Sequence, residues 1–393
     1  MPKSQIISAS ITDGTIVNTD VANSTLTTTK LATPNLGRRN IVINGAMQIA
    51  QRGTSFAGFS DSGYQLDRFK TGIGDTTARF TVTQATAGLN GFANSFKYDC
   101  TTAEASLANG NARVFFHTRL EGQNLQQLKK GTSDAEKVTV SFYVKSNKTG
   151  TYTFELNDNN NARSNSQTYT ISASNTWEHK IITFDGDTTG AFFDDNNNSL
   201  FLYWHLIAGA NYKSGTFNTS WASTVHANRV SSSQVNIGDS TNNTWEITGI
   251  QMEVGSQATP FEHRSYGEEL ALCQRYYYKS MDGSPADNIP NTDNTSSNGT
   301  SGITMYSATS GRTQYFQHPV QMRADPTVTV YSSQRANTSG RWGLFNHSAW
   351  VATATSTPTV DVGRITFSIT HGSSLTAGNT YLLAGGFDAD AEL

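Results

Sequence analysis

The clearest candidates for ligand contact are aromatic and hydrogen-bonding side chains that stand together between predicted strands. Near the end of the chain, rings alternate with a guanidinium, an amide and an imidazole, at Arg341, Trp342, Phe345, Asn346, His347 and Trp350. Rings of this kind stack on sugars or peptides while the polar groups supply directional hydrogen bonds, and Trp and Arg dominate binding hot spots. We therefore predict a ligand contact here, with a buried hairpin as the alternative interpretation of the same pattern.

Aromatic residues in the middle of the chain form a second set of candidates. Tyr203 and Trp204 fall within the apolar run 200–210, which favours a place in the core for Trp204. Trp221 stands between Thr219-Ser220 and Ala222-Ser223, and small polar neighbours of this kind are typical of loops. Trp221 and Tyr212 are thus the predicted contact residues of the middle region.

No catalytic or cofactor-binding motif stands out. The sequence lacks a nucleophile elbow, a Walker loop, a dinucleotide fingerprint and a His-Glu-x-x-His pair. Asp194-x-Asn196-x-Asn198 is similar to the start of a calcium loop, but His205 stands where the acid of the twelfth position belongs. We expect no catalytic residues, no metal and no cofactor. A structural calcium ion at Asp194 and a catalytic pair of Asp67 with Glu262 are the alternatives.

The composition favours strands and argues against several classes of partner. Charged residues make up 15% of the 393, and 28 basic against 31 acidic side chains give a net charge of -3. Binding to nucleic acid needs a surplus of Lys and Arg on phosphates, so we expect none. No apolar run approaches the ~20 residues of a membrane span, and we expect neither membrane insertion nor a secretory signal. Abundant Thr, Ser and Asn with 10% aromatic residues favours an all-β protein.

Residues 1–37 carry a five-residue repeat of aliphatic side chains. The repeat places them at Ile6, Ile11, Ile16, Val21, Leu26 and Leu31. A period of five fits neither a helix nor a strand and indicates stacked rungs. Because a repeat unit cannot bury its apolar face alone, we predict that three chains wind about this axis as a homotrimer. The alternative is a disordered Thr- and Ser-rich arm whose periodicity is accidental.

The rest of the chain divides into three predicted segments. Residues 38–264 alternate apolar and polar side chains between Asn- and Asp-rich spacers, as in a jelly-roll β-sandwich. Residues 265–302 hold a helix and a linker, with Ser265 and Glu268 as a capping box and a helix end near Ser280. Strand patterns resume over 303–393 and predict a small C-terminal β-sandwich.

Several motifs carry a resemblance to a known family. They are NIVINGAMQIAQRGT at 40–54, YQLDRF at 64–69, GIQMEVG at 249–255, ATPFEHR at 258–264, YGEELALCQRYY at 266–277 and FQHPVQMRADP at 316–326. Together they resemble the receptor-binding tail fibre proteins of tailed bacteriophages and prophages, whose middle domain is a jelly roll similar to carbohydrate-binding modules. The five-residue repeat is likewise similar to pentapeptide-repeat β-helices and to the N-terminal stretches of phage fibres.

The resemblance implies a trimeric fibre in the virion, made in the cytoplasm of the bacterial host. Its N-terminal segment 1–37 would attach to other tail or virion proteins, and residues 303–393 would face the host and bind a surface glycan or protein. A capsid or tail connector fibre, a glycan depolymerase and a secreted carbohydrate-binding protein are the alternatives. The charged residues of the motifs, Arg52, Asp67, Arg68, Glu262 and Arg264, are expected to be paired, holding chain crossings or subunit contacts.

Overall fold

The computed structural model describes residues 38–280, 300–331, 342–345, 350–352, 355–371 and 375–393. The five-residue repeat and the linker residues 281–299 lie outside this part of the chain. The homotrimer and the virion attachment of residues 1–37 therefore stay predictions. Within the described ranges, no helix has both the length and the apolar character that crossing a bilayer requires.

The first part of the chain folds into two antiparallel sheets. Its strands are β1 (Ser55–Phe59), β2 (Gly63–Leu66), β3 (Phe69–Gly74), β4 (Arg79–Leu89), β5 (Phe92–Thr102), β6 (Arg113–Glu121), β7 (Val138–Ser146), β8 (Gly150–Asp158), β9 (Arg163–Ile171), β10 (Glu178–Phe184), β11 (Asn198–Ala208), β12 (Ala222–Ser223) and β13 (Thr244–Val254). One sheet has the order β1-β4-β5-β13-β7-β10 and the other β12-β9-β8-β11-β6-β3-β2. A short helix α1 (Ala210–Lys213) and 3-10 turns at Gly122–Asn124, Gln126–Leu128, His226–Asn228 and Ile237–Asp239 connect them.

The core of this sandwich follows from the alternation in the sequence. On β7, Val140, Phe142 and Val144 are fully buried, because every second side chain of a strand points to the same face. Phe154 of β8 and Trp204 of β11 complete the centre of the core, with ring centroids 4.7 Å apart. Trp204 is therefore the core residue that the apolar run predicts, and the all-β prediction is confirmed.

A bulge in β13 joins two segments whose apolar–polar alternation is out of step, with Trp245 and Ile247 in the first and Ile250, Met252 and Val254 in the second. The pairing of β13 with β7 shifts between Thr248 and Gln251, where Gly249 has a φ of +63°. A Cβ atom at Gly249 would lie 2.8 Å from the Phe92 ring and 2.9 Å from the Tyr143 ring. Glycine is needed here for its left-handed backbone and for the close approach of both rings.

The helix that follows the first sandwich begins where the capping box predicts but ends earlier. Helix α2 (Tyr266–Gln274) has Ser265 as its N-cap, whose hydroxyl accepts a hydrogen bond from the backbone N–H of Glu268 at 3.3 Å. The predicted end near Ser280 is wrong, because strand β14 (Tyr277–Lys279) follows almost at once. This strand pairs with the last strand of the chain, and the pairing replaces the final helical turn.

The C-terminal part contains a second set of strands with a core of its own. These strands are β15 (Thr300–Met305), β16 (Ser310–Thr313), β17 (Phe316–Gln317), β18 (Thr327–Tyr331), β19 (Gly343–Phe345), β20 (Trp350–Ala352), β21 (Thr355–Val360), β22 (Arg364–Thr370), β23 (Thr380–Ala384) and β24 (Gly386–Asp390). β14, β24 and β18 form a three-stranded sheet, and β17-β22-β16-β15-β23-β19-β20 form a larger one with β21 beside β22. Ile303, Leu344, Phe367 and Leu383 are buried between them.

The charged residues of the fibre-like motifs tie the two parts together. Arg68, 1% exposed, is paired with Glu392, and Arg52 donates to Asp390 at 2.9 Å. The two guanidinium groups also stack on the rings of Tyr276 and Tyr277, at 3.4 and 3.6 Å from the ring centroids. These contacts fix the end of the chain against the first sandwich.

The remaining motif charges hold the path of the chain inside the first part. The Asp67 carboxylate accepts hydrogen bonds from the Gln51 backbone at 2.7 Å and from its side chain. Glu262 accepts from the backbone N–H of Asn40 at 2.6 Å, and Arg264 is paired with Glu269 at 3.3 Å. The expectation of pairing is confirmed for Arg52, Arg68 and Arg264, whereas Asp67 and Glu262 accept hydrogen bonds from Gln51 and Asn40.

Candidate functional site

An open cleft of about 290 Å³ lies at the edge of the first sandwich, between β9 of one sheet and β10 of the other. Residues from three places in the sequence line it. They are Arg163, Asn165 and Gln167 of β9, Thr183 and Phe184 of β10 with the following residues Asp185, Gly186, Asp187, Thr188 and Thr189, and Thr219, Ser220 and Trp221 before β12. The cleft opens at the side of the sandwich where β10 is an edge strand and where β9 is followed only by the two-residue strand β12.

Trp221 is the aromatic wall of this cleft. Its indole N–H donates to the carbonyl oxygen of Asp185 at 2.9 Å, and its own carbonyl accepts from Arg163 Nη2 at 3.2 Å. The half-buried ring lines the cleft and also a smaller apolar cavity formed with Phe184, Leu200 and others. One side of the ring is thus supported by the core, so its orientation is fixed before a ligand arrives.

Hydroxyl and amide groups line the rest of the cleft. The side chains of Thr183, Thr188, Thr189, Thr219 and Ser220 are exposed there. The Gln167 side-chain amide donates to the Thr219 carbonyl at 2.8 Å and to Asn165 Oδ1 at 3.0 Å, which holds the two amides side by side. An aromatic face beside several neutral donors and acceptors is suited to a ligand that presents C–H groups and hydroxyls together.

The charged groups at the cleft are paired with one another. Arg163 makes a bidentate contact with Asp187, from Nε at 2.7 Å and from Nη2 at 2.9 Å. Burial raises the pKa of Asp187, but hydrogen bonds from Arg163 and Lys130 outweigh it and hold the pKa below its usual value. The exposed Asp185 carboxylate contacts Lys137 at 2.7 Å. Among the described lining residues, none is a basic group left for an anionic ligand.

The prediction that Trp342 contacts a ligand is wrong. Its ring is 2% exposed, lies 4.6 Å from the ring of Phe367 and donates its N–H to the Gly386 carbonyl at 3.1 Å. The Phe316 ring packs against it from another side, with ring centroids 5.9 Å apart, so no ring face is left for a ligand. The hairpin alternative holds for this residue, since β19 and β20 pair with Phe345 opposite Trp350.

The other members of that segment are not placed by the structure. Arg341, Asn346 and His347 lie outside the described residues, and only the backbone is described for Phe345 and Trp350. A ligand contact through these five residues remains a prediction.

Tyr212 does not join Trp221 in one site. Its hydroxyl oxygen accepts from Arg113 Nη1 at 3.1 Å, and Arg113 pairs with Ala208 at the end of β11. Trp221 lies beside Arg163, whose strand neighbour Asp158 pairs with Leu200 near the start of β11. The two aromatic residues therefore lie toward opposite ends of the sheet.

A stacked row on the outer face of the second sheet joins the candidate Tyr203 to Phe201 and His117, which were not predicted as contact residues. Tyr203 stacks on Phe201 and on His117, with ring centroids 5.1 Å apart in both pairs. The signal was present, because Phe201 and Tyr203 occupy alternate positions of an apolar run and so point away from Trp204 and the core. Phe201 and His117 are buried, whereas Tyr203 is half-buried.

A buried charged group flanks this row. Glu155 is fully buried and contacts Arg229 Nε and His205 Nε2, both at 2.9 Å. Burial alone would raise the pKa of Glu155, but these two partners lower it to about 2. Glu155 is therefore a permanently charged anchor for the segment that carries Arg229, and it is a poor proton donor.

The suspected calcium loop is engaged in contacts with the C-terminal part. Asn196 donates its side-chain N–H to the Arg323 carbonyl, and its own carbonyl accepts from Arg323 Nη1 at 3.0 Å. Within the described part of the chain, no group of three or more His, Cys, Asp or Glu side chains is arranged to hold a metal ion. The loop thus serves as a junction between the two parts.

Comparison with known proteins gives only weak similarities. No family model and no curated protein matches the sequence. Among solved structures, the enzymatically active domain of tailspike protein 4 from bacteriophage CBA120 matches 55% of this chain at 13% identity and a TM-score of 0.27, and the match spans only 21% of that domain.

Two carbohydrate-binding modules match over nearly their whole length. TmCBM61 in complex with β-1,4-galactotriose matches 55% of this chain and 99% of its own at 8% identity and a TM-score of 0.29. The family 11 module from Clostridium thermocellum, in complex with a mixed-linked tetrasaccharide, matches 53% and 99% at 11% identity and a TM-score of 0.26. Similarities at this level do not assign a function.

Proposed function

We propose that this protein is a tail fibre of a bacteriophage that binds a glycan on the host surface, with the Trp221 cleft as a binding site. The cleft carries the proposal, because it joins a fixed indole face to amides and exposed hydroxyls at the open edge of a sandwich. The motifs that resemble tail fibre proteins support the placement in a virion. A connector fibre without receptor contact shares these motifs, and the cleft favours the adhesin.

The cleft favours a neutral glycan. Sugar rings present a face of C–H groups that stacks on an indole, and their hydroxyls exchange hydrogen bonds with Thr, Ser and amide side chains. Arg163 is already neutralised by Asp187, and the lining carries the exposed carboxylate of Asp185. Because Asp185 is in turn paired with Lys137, an acidic polysaccharide would find no unpaired basic group among the lining residues.

Binding without cleavage is the second element of the proposal. Glycoside hydrolysis needs a carboxylic acid that is protonated near neutral pH and a second carboxyl group across the bond. Asp187 is held ionised by Arg163 and Lys130, which is the opposite of what a general acid needs. The alternative is a glycan depolymerase, which would release oligosaccharides from the polysaccharide that it binds.

The test compares Trp221→Ala with Trp177→Ala in the full chain. Trp177 is a matched control: it is half-buried, donates its indole N–H to the Ala87 carbonyl at 2.8 Å and has Lys145 over its ring at 4.8 Å. Trp177 is not among the residues that line the cleft. Binding to host cells and to an array of neutral and acidic glycans is measured for each variant.

Loss of the indole at a binding centre costs about 2 kcal/mol or more, which is at least about thirtyfold in affinity. We expect Trp221→Ala to lose binding to neutral glycans and to host cells, and Trp177→Ala to keep both. Equal binding by the two variants would refute the cleft as the site. Release of oligosaccharides from host polysaccharide would show that the protein is an enzyme and would refute binding without cleavage.

A further inference from the structure

Lys130 is buried at the centre of four oxygen atoms. Its ammonium nitrogen lies 2.7 Å from Asp158 Oδ2, 3.0 Å from Asp187 Oδ2 and 2.7 Å from each of the carbonyl oxygens of Thr189 and Gly190. The Lys130 side chain is 4% exposed and both carboxylates are 3% exposed or less. These four atoms, with Lys130 at their centre, are called the oxygen cage below.

The oxygen cage is built by separate segments that the lysine draws together. Asp158 ends β8 and also accepts the backbone N–H groups of Asn160 and Asn161, at 2.9 and 3.1 Å. Asp187 and the two carbonyls belong to the segment 187–190 that follows β10. Without a cation between them, two buried carboxylates and two carbonyl dipoles would repel one another.

Hydrogen bonds connect the oxygen cage to Trp221, the aromatic wall of the cleft. Asp187 holds Arg163, and Arg163 donates to the Trp221 carbonyl. The Asp185 carbonyl, two residues before Asp187, accepts the Trp221 indole N–H. The Lys130 ammonium itself lies 5.5 Å from the centre of the Trp221 ring. Both hydrogen bonds that orient Trp221 thus depend on a segment whose position depends on the cation.

We propose that Lys130 is a built-in cation that positions Trp221 for ligand binding, and that the oxygen cage accepts a calcium ion when the ammonium is removed. The positioning role rests on the proposed function of the cleft, whereas the exchange of cations does not. Carboxylate and carbonyl oxygens are the ligands that Ca²⁺ prefers, and Ca²⁺ tolerates the irregular geometry and added waters that a cage of this kind would impose.

The experiment replaces Lys130 by Ala and by Met in the full chain, with Lys129→Ala as the matched control. Lys129 is the neighbouring lysine, is 53% exposed and contacts only the exposed Glu136 among described carboxylates. Each variant is titrated with CaCl2 by calorimetry and by its thermal midpoint, with MgCl2 as the comparison ion. Glycan binding is then measured with and without about 10 mM CaCl2, above the range of weak protein calcium sites.

We expect Lys130→Ala to bind Ca²⁺ and to show a midpoint that rises with CaCl2, whereas the wild type and Lys129→Ala do neither. Lys130→Met should resist rescue, because its side chain fills the space. The glycan affinity of Lys130→Ala should fall by about tenfold or more, which is the loss expected if only about a tenth of the molecules keep a binding-competent cleft. Addition of CaCl2 should restore the affinity.

Two results would overturn the inference. If Lys130→Ala folds and neither binds Ca²⁺ nor gains stability from it, the cage is not a cation site. If Lys130→Ala binds glycan as the wild type does, Lys130 does not position the cleft. If the variant is recovered only when refolded in CaCl2, the cage is supported. Since calcium binding and the midpoint require no glycan, failure of the proposed function leaves them interpretable.

Discussion

Glu392 offers a sharp test of whether the motif charges hold the two parts of the molecule together. Its carboxylate pairs with Arg68 and lies 3.4 Å from Arg52 Nη1, and it also accepts the backbone N–H of Arg68 at 3.2 Å. The substitution Glu392→Gln keeps the size and one acceptor of the side chain but removes its charge. Two guanidinium groups then face each other without the anion between them.

The expected loss is large because Arg68 has no access to water. Its side chain is 1% exposed, and its other contacts are the Arg119 carbonyl and the ring of Tyr276. Removing one partner of a buried ion pair costs about 3–5 kcal/mol, since the remaining charge stays desolvated. For an unfolding unit of about 200 residues, this corresponds to a fall in the thermal midpoint on the order of 10 °C.

Urea unfolding followed by tryptophan fluorescence measures this loss. The control is Asp390→Asn, which removes the partially exposed carboxylate from the other Arg52 contact and should cost less than about 1 kcal/mol. The double substitution Arg68→Met with Glu392→Met removes both buried charges and should recover most of the stability. If Glu392→Gln unfolds within about 1 kcal/mol of the wild type, the pair does not hold the junction and our account of the motif charges is incorrect.

Two further predictions concern acid stability and assembly. Burial, with help from Arg119 and Lys70, lowers the pKa of His117 well below its usual value, so the folded state stays unprotonated where the unfolded state binds a proton below about pH 6.5. For this group, stability should therefore fall by about 1 kcal/mol between pH 6.5 and 5.5. The substitution His117→Phe should reduce the pH dependence of urea stability by about that amount, and an unchanged pH dependence would contradict the prediction. Light scattering of the full chain should give the mass of a trimer, and Ile16→Asp with Val21→Asp should weaken it; a monomeric wild type would rule the homotrimer out.

The strands were predictable where apolar and polar side chains alternate along the sequence. Val140, Phe142 and Val144 alternate with Thr139, Ser141 and Tyr143, and the sandwich follows from this alternation. The close packing that requires glycine at 249 was not predictable, because the rings that a Cβ atom would meet, Phe92 and Tyr143, come from other strands. The pattern therefore shows two strands where the backbone makes one.

The end of helix α2 shows a limit of local signals. Its start is encoded within four residues, by Ser265 and Glu268, and was found. Its end is decided by the pairing of β14 with β24, more than 100 residues later in the chain, as Tyr277 pairs with Asp390. A helical pattern that continues through Tyr277 cannot reveal a competing strand partner so far away.

The predictions for Trp221 and Trp342 had different outcomes, because sequence neighbours indicate the burial of Trp221 but not that of Trp342. Small polar neighbours indicated that Trp221 is not core, and it does line the cleft. Trp342 also has polar neighbours, but packing against Phe367 and the Gly386 carbonyl buries it. Lys130, Asp158 and Asp187 could not be connected from sequence, because each lies in a different segment and only folding brings their charges together.

The use of charge in this chain bears on what its resemblance to tail fibres means. Arg52, Arg68 and Arg264 belong to the recognisable motifs, and all three form ion pairs with carboxylates of the same chain. These three motif residues therefore hold the chain together and are not available to a ligand. Specificity must then come from positions outside the motifs. The Trp221 cleft is such a place: its lining residues belong to none of the motif segments, and its exposed hydroxyls can change without disturbing the junction. On the proposed function, a variant with a different glycan ligand should therefore differ at cleft positions such as Thr188 and Ser220 while it keeps the motif arginines.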